Sequence, residues 1–142
     1  MTPKAADLLE QGAARSATVR RLVETLARSN VVVYVETAPL KVPGRLRILS
    51  ASRTCRFVWI TVNESDATSR SIPALGHELQ HAVEIAGAPE VICVKSLQRY
   101  YERNGYQDYE GVYCTRAAAQ VTSRVQYEVM ESGAIRAGKG RR

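Results

Sequence analysis

GHELQHAVEIAG, residues 76–87, holds both histidines of this 142-residue chain, four positions apart with a glutamate beside the first. Leu75, Leu79, Ala82, Val83 and Ala86 recur at the three- and four-residue spacing of one helix face. Pro73 suits a first helical turn, Ser71 a cap before it and Gly87 a stop after it. A β-rich segment precedes this helix, so its apolar side is expected to pack on a sheet while His77 and His81 face a cleft. That placement decides the fold class, because it joins a sheet and a helix in one core.

Toward the N-terminus, CRFVWITVN (55–63) and RLRIL (45–49) read as strands separated by the short, turn-like SASRT, as in a hairpin. VVVYVE (31–36) is a third strand. Before it, Ser16 can cap a helix whose Val19, Leu22, Val23 and Leu26 form a buried stripe, ending near Asn30. Beyond Gly87, helical segments are expected over 90–104, ending at Gly105, and over about 115–132, with Ala118, Val121, Val125 and Val129 facing inward and Thr115 as cap. The expected architecture is α+β: an N-terminal helix, a three-stranded twisted sheet, the HELQH helix and two C-terminal helices. Residues 1–15 read as a polar lead-in, 16–132 as a single domain and 133–142 as a basic tail.

Composition sets bounds on function. Hydrophobic residues at 45% and charged residues at 24% are ordinary for a globular domain, and no apolar run reaches membrane-spanning length. The start lacks the apolar segment of a secretory signal, which points to the cytoplasm. Cys55, Cys93 and Cys114 are an odd number without paired spacing, which argues for reduced thiols over a disulfide framework. For Cys55, in a strand, and Cys93, on a helix face, core packing is the default. The net charge of +6 comes partly from the tail IRAGKGRR and otherwise from scattered residues. Without basic patches, a groove-entering motif or interleaved aromatics, it argues against nucleic-acid binding.

The histidine spacing carries the chemistry. Residues four apart lie one above the other on a helix, so His77 and His81 can turn ring nitrogens toward a single ion. Glu78 is offset around the helix and can take a proton from water that the metal has brought to a pKa of about 7. This is the HExxH pattern. With strands preceding the HELQH helix, the chain resembles a zincin metallopeptidase. That resemblance implies a zinc ion on His77 and His81, Glu78 as general base and acid, and a peptide or protein substrate. It also implies an edge strand holding the substrate extended above the metal, with Arg56–Val62 as a candidate region.

Two histidines leave a third ligand to find. The chain has no third histidine, which excludes the metzincin subclass. Glu84 shares the helix face but lies roughly 10 Å along the axis from His77, so its better role is a hydrogen bond to His81. Gluzincins take a glutamate from a later helix, which leaves Glu102 and Glu110. SATVRRLVETLARSNVVVYV (16–35), HELQHAVEIAGAPEV (77–91) and YCTRAA (113–118) also resemble three motifs of small bacterial HExxH proteins of gluzincin-like type. In the third motif Cys114 stands where those proteins carry an acid. If that acid is their third ligand, the resemblance implies zinc on two histidines and a thiolate, a common donor that ionises readily near a helix N-terminus. Sulfur donates more charge than carboxylate, so the metal would be a weaker Lewis acid. The leading expectation is a small zinc-dependent peptidase. A noncatalytic zinc-binding domain on the same scaffold, and a basic nucleic-acid-binding protein with an accidental HExxH, are the alternatives. Tyr109, Tyr113 and Arg116 lie near the third motif without an assigned role.

Overall fold

The computed structural model describes residues 1–52, 54–107 and 112–140, with backbone only at positions 50 and 134–140. Two helices, α1 (Pro3–Arg15) and α2 (Ala17–Ala27), precede strands β1 (Val31–Ala38), β2 (Gly44–Ala51) and β3 (Arg56–Asn63). Helices α3 (Thr68–Ala86) and α4 (Val94–Asn104), a two-stranded ribbon of β4 (Tyr106–Gln107) and β5 (Tyr113–Cys114), and α5 (Arg116–Gly140) follow. The α+β plan of the sequence is present.

β3 lies at the centre of the three-stranded sheet, antiparallel to β2 and parallel to β1. Its alternation explains the position: Val58, Ile60 and Val62 are fully buried on the inner face. The Arg56–Val62 segment, the candidate region for holding substrate, is therefore the central strand, and β1 and β2 form the edges. The inner face is covered by α1, α2 and α3, and α3 also packs against α5. Ile72, Leu75, Leu79, Ala82 and Ile85 give α3 its buried side, and Ala118, Val125 and Val129 give α5 the expected stripe. A methyl group added at Gly76 would stand 3.0 Å from Val125 Cγ2, so α5 approaches α3 closely at the turn that carries His77.

Several boundaries differ from expectation, among them the start of α4, which lies at Val94 and not at residue 90. Residues 1–15 are not a lead-in: Thr2 accepts a bond from Ala5 N, Pro3 starts α1, and Ala5, Leu8 and Gly12 are buried. Leu8 is the one large side chain among these three, which weakened the hydrophobic signal. α3 begins at Thr68, five residues before Pro73, with Ala67 as a cap lacking a side-chain bond; Ser71 lies inside the helix and donates to Asp66 O. Pro73 forgoes one helical bond, to the Ser69 carbonyl, near the helix start where the loss is tolerated. α5 continues to Gly140 rather than stopping near Ser132.

Two polar clasps lock the elements. The buried Arg56 guanidinium donates to the carbonyls of Ile85 (2.6 Å), Ala88 (2.7 Å) and Val91 (3.2 Å), and to Asn30 Oδ1 (2.9 Å). It satisfies the acceptors left at the C-terminus of α3 and ties that helix to the sheet. Glu128 of α5 accepts from Ser16 Oγ (2.6 Å) and from Thr18 N (3.0 Å) and Oγ1 (2.9 Å), at the N-terminus of α2. Ser16 also caps α2 through Val19 N, as its sequence position predicts.

Candidate metal centre

Helical spacing stacks His77 and His81 on one face of α3, with their Nε2 atoms 3.1 Å apart. Cys114 Sγ, delivered by β5, lies 3.8 Å from His77 Nε2. One donor atom from each of the three residues falls within 4.8 Å of the others. Tetrahedral zinc with ordinary bond lengths would separate two nitrogens by about 3.4 Å and a nitrogen from sulfur by about 3.6 Å. The His77–His81 separation is about 0.3 Å shorter and the His77–Cys114 separation about 0.2 Å longer than those values, and His81 and Cys114 lie within 4.8 Å of each other.

The hydrogen bonds behind the rings fix which nitrogens face inward. Thr122 Oγ1 donates to the Ala118 carbonyl (3.1 Å), so toward His77 it acts as acceptor, and His77 Nδ1 carries the proton at 2.8 Å. Glu84 Oε1 accepts from His81 Nδ1, also at 2.8 Å. Both rings are thereby held with Nδ1 protonated, and both Nε2 lone pairs point toward the same small volume. The two Nε2 atoms, 3.1 Å apart, are within hydrogen-bonding distance of each other, and a cation between them would take both lone pairs. The donor set of two imidazoles and a thiol fits zinc.

The third donor is anchored to the same network. Thr115 Oγ1 donates to Glu84 Oε2 (2.6 Å) and accepts from Ala118 N (3.1 Å), capping α5. Glu84 thus links His81 to the residue after Cys114. On the other side of Cys114 stands a steric constraint: a Cβ at Gly105 would lie 2.5 Å from the Cys114 carbonyl oxygen and 3.0 Å from that of Tyr101. Only glycine lets the chain leaving α4 pass so close to β5.

Glu78 is buried, and burial pushes its carboxyl up to about 7, with His81 acting in the opposite direction. The start of β2 lies over it, since a Cβ at Gly44 would stand 3.0 Å from Glu78 Cγ. β2 is thus the edge strand next to the candidate base. Tyr101 sets its ring edge-on to His81 (5.3 Å) and stacks on Tyr113 (6.0 Å). Burial, then the Glu78 and Glu84 carboxylates, raises its hydroxyl well above the ordinary value, so it stays protonated. A pocket of about 360 Å3 bordered by Pro43, Pro73 and Thr122 includes the His77 partner Thr122 but none of the donor residues and neither Glu78 nor Tyr101. A larger cavity of about 820 Å3, lined by Thr18, Arg21, Gln80 and Arg116, contains none of the donor residues.

The structure brings His77, His81 and Cys114 together with Glu78 adjacent, and gives Glu84 the supporting role expected of it. Glu102 does not join them; it is exposed on α4 and accepts from Gln98. Glu110 and Tyr109 lie outside the described residues. Arg116 is exposed at the start of α5. Cys93 is exposed as the N-cap of α4 instead of packed in the core, and Cys55 is half-buried just before β3. Thr122, Gly105 and Tyr101 were missed by sequence reasoning. Thr122 carried one signal, lying seven residues after Thr115 and therefore near the same face of α5.

No family model, curated protein or solved structure matches this chain. Among the described residues, no helix is long and apolar enough to cross a membrane.

Proposed function

We propose that this protein is a small zinc-dependent peptidase of the HExxH type, with His77, His81 and Cys114 holding the metal and Glu78 as general base. The observation that carries the proposal is the inward convergence of two Nε2 lone pairs and one sulfur beside a buried carboxylate. Bound zinc would supply Lewis acidity, polarising a peptide carbonyl and acidifying water. Glu78 takes a proton from the attacking water and delivers it to the leaving amine nitrogen, which breaks the peptide bond. Its burial keeps competing solvent away and keeps its basicity high enough for that transfer. The free edge of β2, which passes over Glu78, offers backbone groups to an extended peptide. His81 is oriented by Glu84 and by the Tyr101 ring, and His77 by Thr122.

Peptide-library cleavage by the zinc-loaded protein tests the proposal. Glu78→Gln keeps the shape of the side chain but cannot accept the proton, so it should retain zinc and lose cleavage. Unchanged cleavage by Glu78→Gln would remove Glu78 from the reaction. A noncatalytic zinc-binding module is the second reading, favoured by the thiolate, since cysteine donors predominate in structural zinc sites. Stoichiometric zinc with no cleavage by the wild-type chain would select it.

A further inference from the structure

We infer that the outer face of the three-stranded sheet is a docking surface for a second copy of this chain. Strand alternation turns Val32 and Tyr34 of β1, and Phe57 and Trp59 of β3, away from the helices. Val32, Tyr34 and Phe57 are 37–48% exposed. Tyr34 and Trp59 lean together with ring centroids 4.4 Å apart. Trp59 Nε1 is buried and has no hydrogen-bond partner among the described residues. An aromatic face of this kind across the parallel pair of β1 and β3, partly exposed among the described residues, is the sort of surface that associates.

The charges on this face select the partner. The strand registers place Glu36, Thr61 and Arg45 in one row across the sheet, and Tyr34, Trp59 and Arg47 in the next. The acid therefore lies on one edge strand and the two cations on the other, with β3 between them. Among the described residues neither arginine is ion-paired with an acid. A two-fold axis running along β3 lays β1 of one copy over β2 of the other. Each row then meets itself: Glu36 faces Arg45 of the other copy twice, Tyr34 faces Arg47 twice, and Trp59 and Phe57 meet their own equivalents at the axis. An axis across the strands would set β2 on β2 and bring like charges together. The surface is complementary to itself under the first operation only.

Three strands of eight residues cover about 14 by 26 Å, roughly 370 Å2 of flat area on each copy. The pair would bury about 740 Å2, less than a stable specific interface usually does, so the dimer is weak and reversible. None of these residues is a candidate metal ligand, so the inference stands apart from the proposed reaction.

Sedimentation velocity of the full chain over a concentration series is the test, with circular dichroism to verify folding. A concentration-dependent monomer–dimer equilibrium is expected. Arg45→Glu and Glu36→Arg should each weaken it at least about tenfold, by setting like charges against each other, and the double variant should return to within about threefold of wild type. Arg45→Glu changes one exposed side chain and keeps the test decisive if Glu36→Arg misfolds. A monomer at every concentration, a dimer indifferent to both reversals, or a double variant that stays dissociated would overturn the inference. Binding of phosphatidylserine vesicles through Trp59 without self-association would overturn it as well.

Discussion

Gly105→Ala is the substitution that separates a positioned third ligand from a cysteine that merely lies nearby. The added methyl carbon would sit 2.5 Å from the Cys114 carbonyl oxygen and 3.0 Å from the Tyr101 carbonyl oxygen. Ordinary contact begins near 3.4 Å, so β5 and the end of α4 must separate by about 0.9 Å, because both obstacles are backbone. Metal–ligand distances tolerate about 0.2 Å, so a shift of that size takes Sγ out of bonding range. The cost in folding stability should be about 1–3 kcal/mol, typical of overpacking. The loss in zinc affinity should be larger than the 10–100-fold that follows removal of a supporting hydrogen bond. Competition titration against a chromophoric chelator reads the affinity, and thermal unfolding of the metal-free proteins reads the stability. Gly87→Ala is the matched control, since a Cβ there meets nothing closer than 3.7 Å. If Gly105→Ala binds zinc as tightly as Gly87→Ala does, the passage of the chain between Tyr101 and Cys114 does not position a ligand.

Two further predictions concern the supports around the site. Thr122→Val keeps the shape but removes the acceptor that holds the His77 proton on Nδ1, so zinc affinity should fall about 10–100-fold in the same titration while the folded helix content is unchanged. Burial would by itself raise the Glu128 carboxyl, but bonds from Ser16 and from the Thr18 backbone and hydroxyl outweigh it and leave the group below its ordinary value. Its stabilisation is complete above the unfolded value of about 4.3 and is lost as pH falls through the lowered folded value. Glu128→Gln should therefore cost about 1.5–3 kcal/mol near neutral pH, and less as the pH drops below 4. Chemical unfolding at both pH values checks this; a gap that widens in acid would contradict it.

What was legible in the sequence is what local spacing encodes. The i,i+4 histidines, the Ser16 and Thr115 caps and the buried stripes of α2 and α5 needed only helical periodicity, although Val23, expected in the first stripe, is exposed because Thr18, Val19, Leu22 and Leu26 fill the buried side. Glu84 followed from its distance along the same helix. The sheet order was not legible, because a hairpin signal pairs β2 with β3 but says nothing about β1. Arg56 opens a strand whose positions 58, 60 and 62 face the core, yet its burial depends on carbonyls some thirty residues away. Thr122 and Tyr101 reach the histidines only after α4 and α5 have packed. Gly105 read as a helix stop, and its real constraint is the strand that returns beside it. α1 escaped notice because Ala5 and Gly12 fill its buried stripe, although Thr2 and Pro3 already marked its start.

The ligand set itself is tested most directly by replacing zinc with cobalt(II) in the wild-type chain and in Cys114→Ala. Two imidazoles and a thiolate predict a stoichiometric, tetrahedral cobalt site whose sulfur-to-metal charge-transfer absorption is present in the wild type and gone in Cys114→Ala, with weaker metal binding in the variant. A wild-type cobalt site without that absorption, or a Cys114→Ala protein that holds zinc as tightly as the wild type, would contradict it.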